Sequence, residues 1–217
     1  MADPVATFEA NSQPTGATAE ARIDRRRLRS ARTKQAIIEA YLALVLERPQ
    51  IPTATRIADR AGCSVRSVFE RFSDLHALRV AVMDFAVAEA TAQVMAREPE
   101  GDRRARLKTH IETRGMICEK WLPMWRALNM NRGDSRDLKS RVVMVRQVIL
   151  RRIEMMYEPE LSSVSELQRR RIVIAIESLI DFESWARMRQ DNGLGFEEAC
   201  AVWTLAIDRL LPPTPVS

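Results

Sequence analysis

Thr53-Ala54-Thr55-Arg56-Ile57-Ala58-Asp59-Arg60-Ala61-Gly62-Cys63-Ser64-Val65-Arg66-Ser67-Val68-Phe69-Glu70-Arg71-Phe72 is the stretch on which the reading of this chain turns. Pro49 and Pro52 stop whatever precedes it, because proline lacks the amide donor and restricts its neighbour. The Thr53 hydroxyl is placed to cap a helix over 54–61, with Ile57, Ala58 and Ala61 turned inward. Gly62 supplies the left-handed stop, and Ser64 caps a following helix over 65–72. On a wheel of about 100° per residue, Val65, Val68, Phe69 and Phe72 gather on one side. Arg66, Ser67, Glu70 and Arg71 fill the other.

Upstream, Ile37, Ile38, Tyr41, Leu44 and Val45 recur at the spacing of an amphipathic helix that starts near Thr33. Before it, Arg22, Arg25, Arg26, Arg27, Arg29, Arg32 and Lys34 face a single acid, Asp24. Residues 22–75 hold 12 bases and 6 acids, a net of +6. Residues 1–21 carry a net of −3 and residues 76–217 a net of +2, so the basic excess sits in one quarter of the chain. Clustered cations suit a polyanion, since each neutralised phosphate releases counterions. Two short helices joined through glycine, the second with an arginine-bearing face, form the arrangement whose second helix enters a DNA major groove. The same residues also fit a three-helix core with a solvated outer face and a solubilising basic tail.

The remainder is helical in pattern. Blocks are expected at 74–97, 102–130, 135–157, 163–190 and 196–211, broken at Pro99, Gly101, Gly133, Pro159 and Gly193, and Pro123 should bend or interrupt its block. Ile172, Val173, Ile174, Ala175, Ile176, Leu179, Ile180 and Phe182 make one helix apolar almost all round, and Ala199, Val202, Trp203, Ala206, Ile207 and Leu210 form a broad stripe. Two such helices from each subunit would make a four-helix interface with two-fold symmetry, or else they are core within one chain. Between connector and interface lies a segment rich in Met and Trp. Met116, Trp121, Met124, Trp125 and Met144, with Trp185 further on, are candidates to line a cavity for an apolar or aromatic effector. Plain core is the competing reading.

The fold class is therefore all-α. Residues 1–21 are expected to form a flexible tail and 22–75 a basic arm and helix-turn-helix domain. Residues 76–211 would be a larger effector-binding and dimerisation domain, and 212–217 a short tail. Cys63, Cys118 and Cys200 match no disulfide framework or C-x-x-C site, which fits a reducing, cytoplasmic compartment. Cys118 reads as a buried, inert thiol. There is no apolar run of membrane-spanning length. No catalytic, cofactor or metal constellation assembles, since His76 and His110 lack ligand spacing and no phosphate loop or nucleophile elbow is present.

The segment 53–72, taken together, resembles the amino-terminal signature of the TetR family of bacterial regulators: T-x-x-x-I-A-x-x-A-G-x-S, then an aromatic, two residues and Phe. Here these are Thr53, Ile57-Ala58, Ala61-Gly62, Ser64, Phe69 and Phe72. The resemblance covers about 32–83. It implies a homodimer on a roughly palindromic duplex operator, with Thr53, Thr55, Ser64, Val65, Arg66, Ser67, Phe69 and Arg71 as DNA contacts. Arg29 and Arg32 of the arm join them. It also implies an outward Val65, against the wheel, and a repressor released by a small molecule in the larger domain. Phe69 replaces the family's usual tyrosine and Leu75, beside Asp74, its usual lysine. Both changes remove phosphate contacts that the arginine arm and Arg66 are expected to offset. The alternative is a helical interaction protein whose arm binds nucleic acid or acidic protein without sequence preference.

Overall fold

The computed structural model describes residues 16–96, 101–131 and 135–215, and all regular structure among them is helical. The first three helices are α1 (Gly16–Glu47), α2 (Ala54–Ala61) and α3 (Val65–Arg71). Two long helices, α4 (Leu75–Met95) and α5 (Arg103–Asn131), precede α6 (Arg136–Met156) and the single turn α7 (Glu158–Leu161). Then come α8 (Glu166–Leu179), α9 (Phe182–Ala186), a π-helical turn (Arg187–Asp191) and α10 (Phe196–Leu210). Among the described residues, no helix is long and apolar enough to cross a membrane.

Three expectations are corrected. The basic segment does not precede the first helix but belongs to it. Helix α1 begins at Gly16, so residues 16–21 are helical rather than tail, while residues 1–15 lie outside the described residues. The cause is local: no proline or glycine follows Gly16 until Pro49, and Ala, Arg, Leu and Glu dominate the run. Pro123 does not end α5, which runs through it with Trp121, Leu122 and Met124 buried around it. The block expected over 163–190 is divided, because Asp181 accepts a hydrogen bond from the Ser184 amide at 2.5 Å and caps a new helix.

Two cores hold the helices. In the first, Ile37, Tyr41 and Val45 of α1 pack with Ile57, Ala58, Val68 and Phe72. Leu78 and Val82 of α4 and Trp121, Met124 and Ala127 of α5 continue that cluster, so packing runs without a break past residue 75. In the second, Leu107, Ile111 and Cys118 of α5 meet Ile153, Met156, Ile176, Trp185, Trp203 and Ile207. Helix α5 therefore ties the two together.

Gly115 lies where this second core closes on α5. A Cβ there would stand 2.9 Å from Trp185 Cη2 and 3.1 Å from Phe196 Cε2. Alanine gains ~1 kcal/mol of helix propensity over glycine, but overpacking of this kind costs about 1–3 kcal/mol. Gly115→Ala is expected to lower the urea midpoint; a raised midpoint would mean that the Trp185 ring moves aside freely.

Candidate nucleic-acid interface and internal cavity

Both caps of the helix pair form as the sequence implies. Thr53 Oγ1 accepts from the Arg56 amide at 3.4 Å, Ser64 Oγ accepts from the Ser67 amide at 3.1 Å, and Gly62 takes φ 64°. Val68 is fully buried and Phe72 nearly so, and these two fix α3 against α1 and α2. Lys34 Nζ lies 5.5 Å from the centroid of the Phe72 ring, a tie between α1 and α3 that sequence reasoning missed.

Val65 and Phe69, which the wheel placed inward, are instead 36% and 45% exposed. A seven-residue helix anchored by the single i, i+4 pair Val68 and Phe72 has no second inward row for them. The open face of α3 thus carries Val65, Arg66, Phe69 and Glu70. The Arg66 side chain is 88% exposed, against 26% for Arg71. Glu70 accepts from Arg66 Nε at 3.0 Å and Arg71 Nη1 at 3.4 Å. The Arg66 hydrogen bond is the chief reason its carboxyl is held below the usual range. Arg71 is the more enclosed of the two, and its buried Nε has no hydrogen-bond partner among the described residues. Thr53, Thr55 and Ser64 are exposed, and Ser67 is half-buried. Arg29 and Arg32 are exposed along α1, with Arg26 and Arg27 beside them.

A cavity of about 310 Å³ lies between α4, α5 and α6. Each helix turns one face to it: Met83, Ala86, Ala90 and Val94 of α4, Ile117 and Leu128 of α5, and Val145, Val148 and Ile149 of α6. Of the expected effector residues, Trp121, Met124, Trp125 and Met144 line it. The Trp125 ring stacks on Phe182 at 5.1 Å. Met116 and Trp185 do not line it. Met116 is exposed, one position off the cavity row of α5. Trp185 is buried in the second core, against Trp203 at 4.8 Å and Phe196 at 5.4 Å. Sequence reasoning missed His110, Thr113, Arg114 and Arg152, all at the cavity wall. The signal was present, since 110, 113, 114, 117, 121, 124 and 128 are one helical row, polar at its start and apolar after.

His110 is buried, with Nδ1 2.8 Å from Tyr157 Oη. Burial first, then the charges of Arg114 and Arg152, lower its pKa to about 3. A histidine kept neutral in the fold stabilises it above the unfolded pKa of ~6.5. That stability is lost as pH falls from there toward 3, by up to about 1.4 kcal/mol per pH unit. His110→Asn should flatten the dependence of unfolding free energy on pH across this window; an unchanged slope would assign acid sensitivity elsewhere. Cys118 is fully buried and burial pushes its thiol up to about 11, so it stays protonated.

Neither a protein-family model nor a curated protein matches the sequence. Solved structures do match in fold. A transcriptional regulator from Rhodococcus sp. Rha1 superposes with a TM-score of 0.64 at 15% identity, over 86% of this chain and 99% of that one. A protein assigned to the TetR family of transcriptional regulators, from Rhodococcus sp., gives 0.63 at 16% identity, over 83% and 99%. A third, assigned as a transcriptional regulator, from Pseudomonas aeruginosa PAO1, gives 0.62 at 17% identity, over 82% and 89%. The chain has the all-helical fold of these three regulators across most of its length.

Proposed function

We propose that this chain is a sequence-specific DNA-binding transcriptional regulator, acting as a homodimer that a small effector releases from a palindromic operator. The observation that carries the reading is the open face of α3. Val68 and Phe72 anchor the helix from behind while Val65, Arg66 and Phe69 stand toward solvent, with the basic rod of α1 in the same module. An arginine on such a helix bonds guanine edges, and an apolar side chain meets the thymine methyl. The shared fold with the Rhodococcus regulators supports the same reading.

Dimerisation is supported by apolar surface left on two neighbouring helices. Leu167 and Ile174 of α8 and Val202, Leu205 and Leu210 of α10 remain exposed in the single chain. Pairing these faces about a two-fold axis would cover them and set two α3 helices to reach half-sites one helical turn apart, about 34–36 Å. An effector acts by preferring one of two subunit arrangements. Coupling has a physical route: Met83, Met124 and Leu128 wall the cavity and also back a small void beneath Tyr41 and Val45 of α1.

Selection of bound duplexes from a random pool tests the reading, and a two-fold symmetric consensus is expected. Arg66→Ala combined with Arg71→Ala should erase much of the preference, each base contact being worth about 1–3 kcal/mol. Enrichment of no sequence, with affinity indifferent to both substitutions, would favour an interaction protein that holds polyanions through its basic helix.

A further inference from the structure

The cavity is not uniformly apolar. His110, Thr113 and Arg114 at the start of the α5 row lie at one end, and Arg152 near the close of α6 lies with them, because α5 and α6 run antiparallel. Both arginines are near enough to His110 to act on it electrostatically. Among the described residues, no Asp or Glu lines the cavity. The other end, around Met83, Met124 and Leu128, is apolar apart from the indole N–H of Trp121.

The donors at the polar end are oriented. The Tyr157 hydroxyl has no other acceptor among the described residues, so it donates to His110 Nδ1. The proton of the neutral ring then sits on Nε2, which becomes a donor. Arg114 is held through Nε, which donates to the Ile180 carbonyl at 2.8 Å, and by its guanidinium lying 4.9 Å from the Phe182 ring centroid. Among the described residues it makes no ion pair, and its two outer nitrogens are unused by that anchoring. A fixed, part-buried guanidinium with outward donors and no counter-ion among the described residues binds an anion more strongly than a freely solvated one. Thr113 spends its hydroxyl proton on the Thr109 carbonyl at 2.6 Å, so the donors here are Arg114 and the imidazole, with Arg152 adding positive charge beside them.

We propose that the cavity takes an elongated apolar carboxylate, with its head between Arg114, Arg152 and His110 and its chain toward Met83, Met124 and Leu128. The volume of about 310 Å³, at ~30 Å³ per water-sized group, fits about ten non-hydrogen atoms. The ligand enters along α6, where Met144 and Val148 are both cavity wall and roughly half exposed. This deepens the effector part of the proposed function and rests on it only for the consequence on DNA.

The test is calorimetric titration of the full chain with octanoate and its neutral isostere octanamide, each with a hexyl, decyl and 3-phenylpropyl counterpart. At least one carboxylate should bind tenfold or more tightly than its amide. In Arg114→Gln and Arg152→Gln the preference should fall severalfold, with the circular dichroism spectrum and the urea midpoint of each variant serving as the check that the cavity is still folded. Equal affinities for acid and amide, a preference that survives both substitutions, or no binding by any probe would overturn the proposal. Tight carboxylate binding that leaves operator affinity unchanged would uphold the site and overturn only its assignment as the effector switch.

Discussion

Glutamine at Arg26, Arg27, Arg29 and Arg32 together is expected to weaken binding to duplex DNA by about two to three orders of magnitude at moderate salt. It should also flatten the salt dependence. All four side chains are exposed on α1, and each phosphate contact contributes about −0.9 to the slope of log affinity against log salt. If between half and all of them meet phosphates, the slope falls by roughly 2 to 4. Glutamine keeps helix propensity close to that of arginine, so α1 should persist by circular dichroism, and the change would report charge alone. The ratio of operator to random affinity should hardly move, since phosphate contacts fix register and carry no sequence information. An unchanged slope would show that the basic face of α1 does not meet DNA. The helical form of this segment sharpens the expectation: Arg26 to Arg32 spans about 9 Å of a rod at 1.5 Å per residue. At about 100° per residue Arg26, Arg29 and Arg32 fall within about a third of a turn of one another, so these three approach a phosphate backbone together, with less ordering entropy to lose than a flexible arm.

How much of this was legible in the sequence follows from which forces are local. Thr53, Gly62 and Ser64 act on backbone within three or four residues, and each does in the structure what its chemistry implies. The same holds for Pro49 and Pro52, and the ends of α4, α5, α6 and α10 fall within a few residues of the expected ones. The miss at α1 came from starting the helix at its first apolar row, near Thr33, when propensity pointed to helix from Gly16 onward. Val65 and Phe69 were misplaced for a different reason. A wheel sorts residues by hydrophobicity, whereas α3 buries only what α1 and α2 can reach, and the surplus apolar residues stand on the open face. The cavity was half legible. Trp121, Met124, Trp125 and Met144 were found by residue type, but type alone could not separate them from Trp185, whose helix α9 was hidden inside a longer expected block. The polar end of the cavity was missed because His110 was weighed only as a metal ligand, Arg114 was not singled out, and only the neighbouring helix supplies Arg152.

Arg106→Met should destabilise the chain by about 3–5 kcal/mol, the range for removing one partner of a buried ion pair. This is a large share of the ~5–15 kcal/mol that stabilises an ordinary domain. Arg106 is buried and each of its three guanidinium nitrogens donates one hydrogen bond. Nε donates to the Met156 carbonyl at 2.9 Å, Nη1 to the Gly101 carbonyl at 3.1 Å and Nη2 to Glu160 Oε1 at 2.5 Å. Glu160 is fully buried, and its only other hydrogen bond among the described residues comes from the Thr214 hydroxyl at 2.6 Å. Its Oε2 has no partner there. Without Arg106 a carboxylate would stay in the interior facing one hydroxyl, and two backbone carbonyls would lose their donor. The double substitution Arg106→Met with Glu160→Leu removes both charges and should recover most of the loss, as buried pairs replaced by apolar residues often do. Urea unfolding of the three variants measures this; a loss below about 1 kcal/mol for Arg106→Met would mean that water reaches Glu160 and solvates it. The consequence extends to the cavity. Arg106 precedes His110 by one turn of α5, and the neighbouring Arg103 donates to the Asp208, Leu211 and Pro212 carbonyls, so residues 212–215 are tied down rather than a loose tail. Together the two arginines clamp the start of α5 to the end of α6 and to the chain's last described residues. Loosening that clamp should let the polar end of the cavity drift, so Arg106→Met is expected to weaken carboxylate binding at temperatures where the fold is still intact.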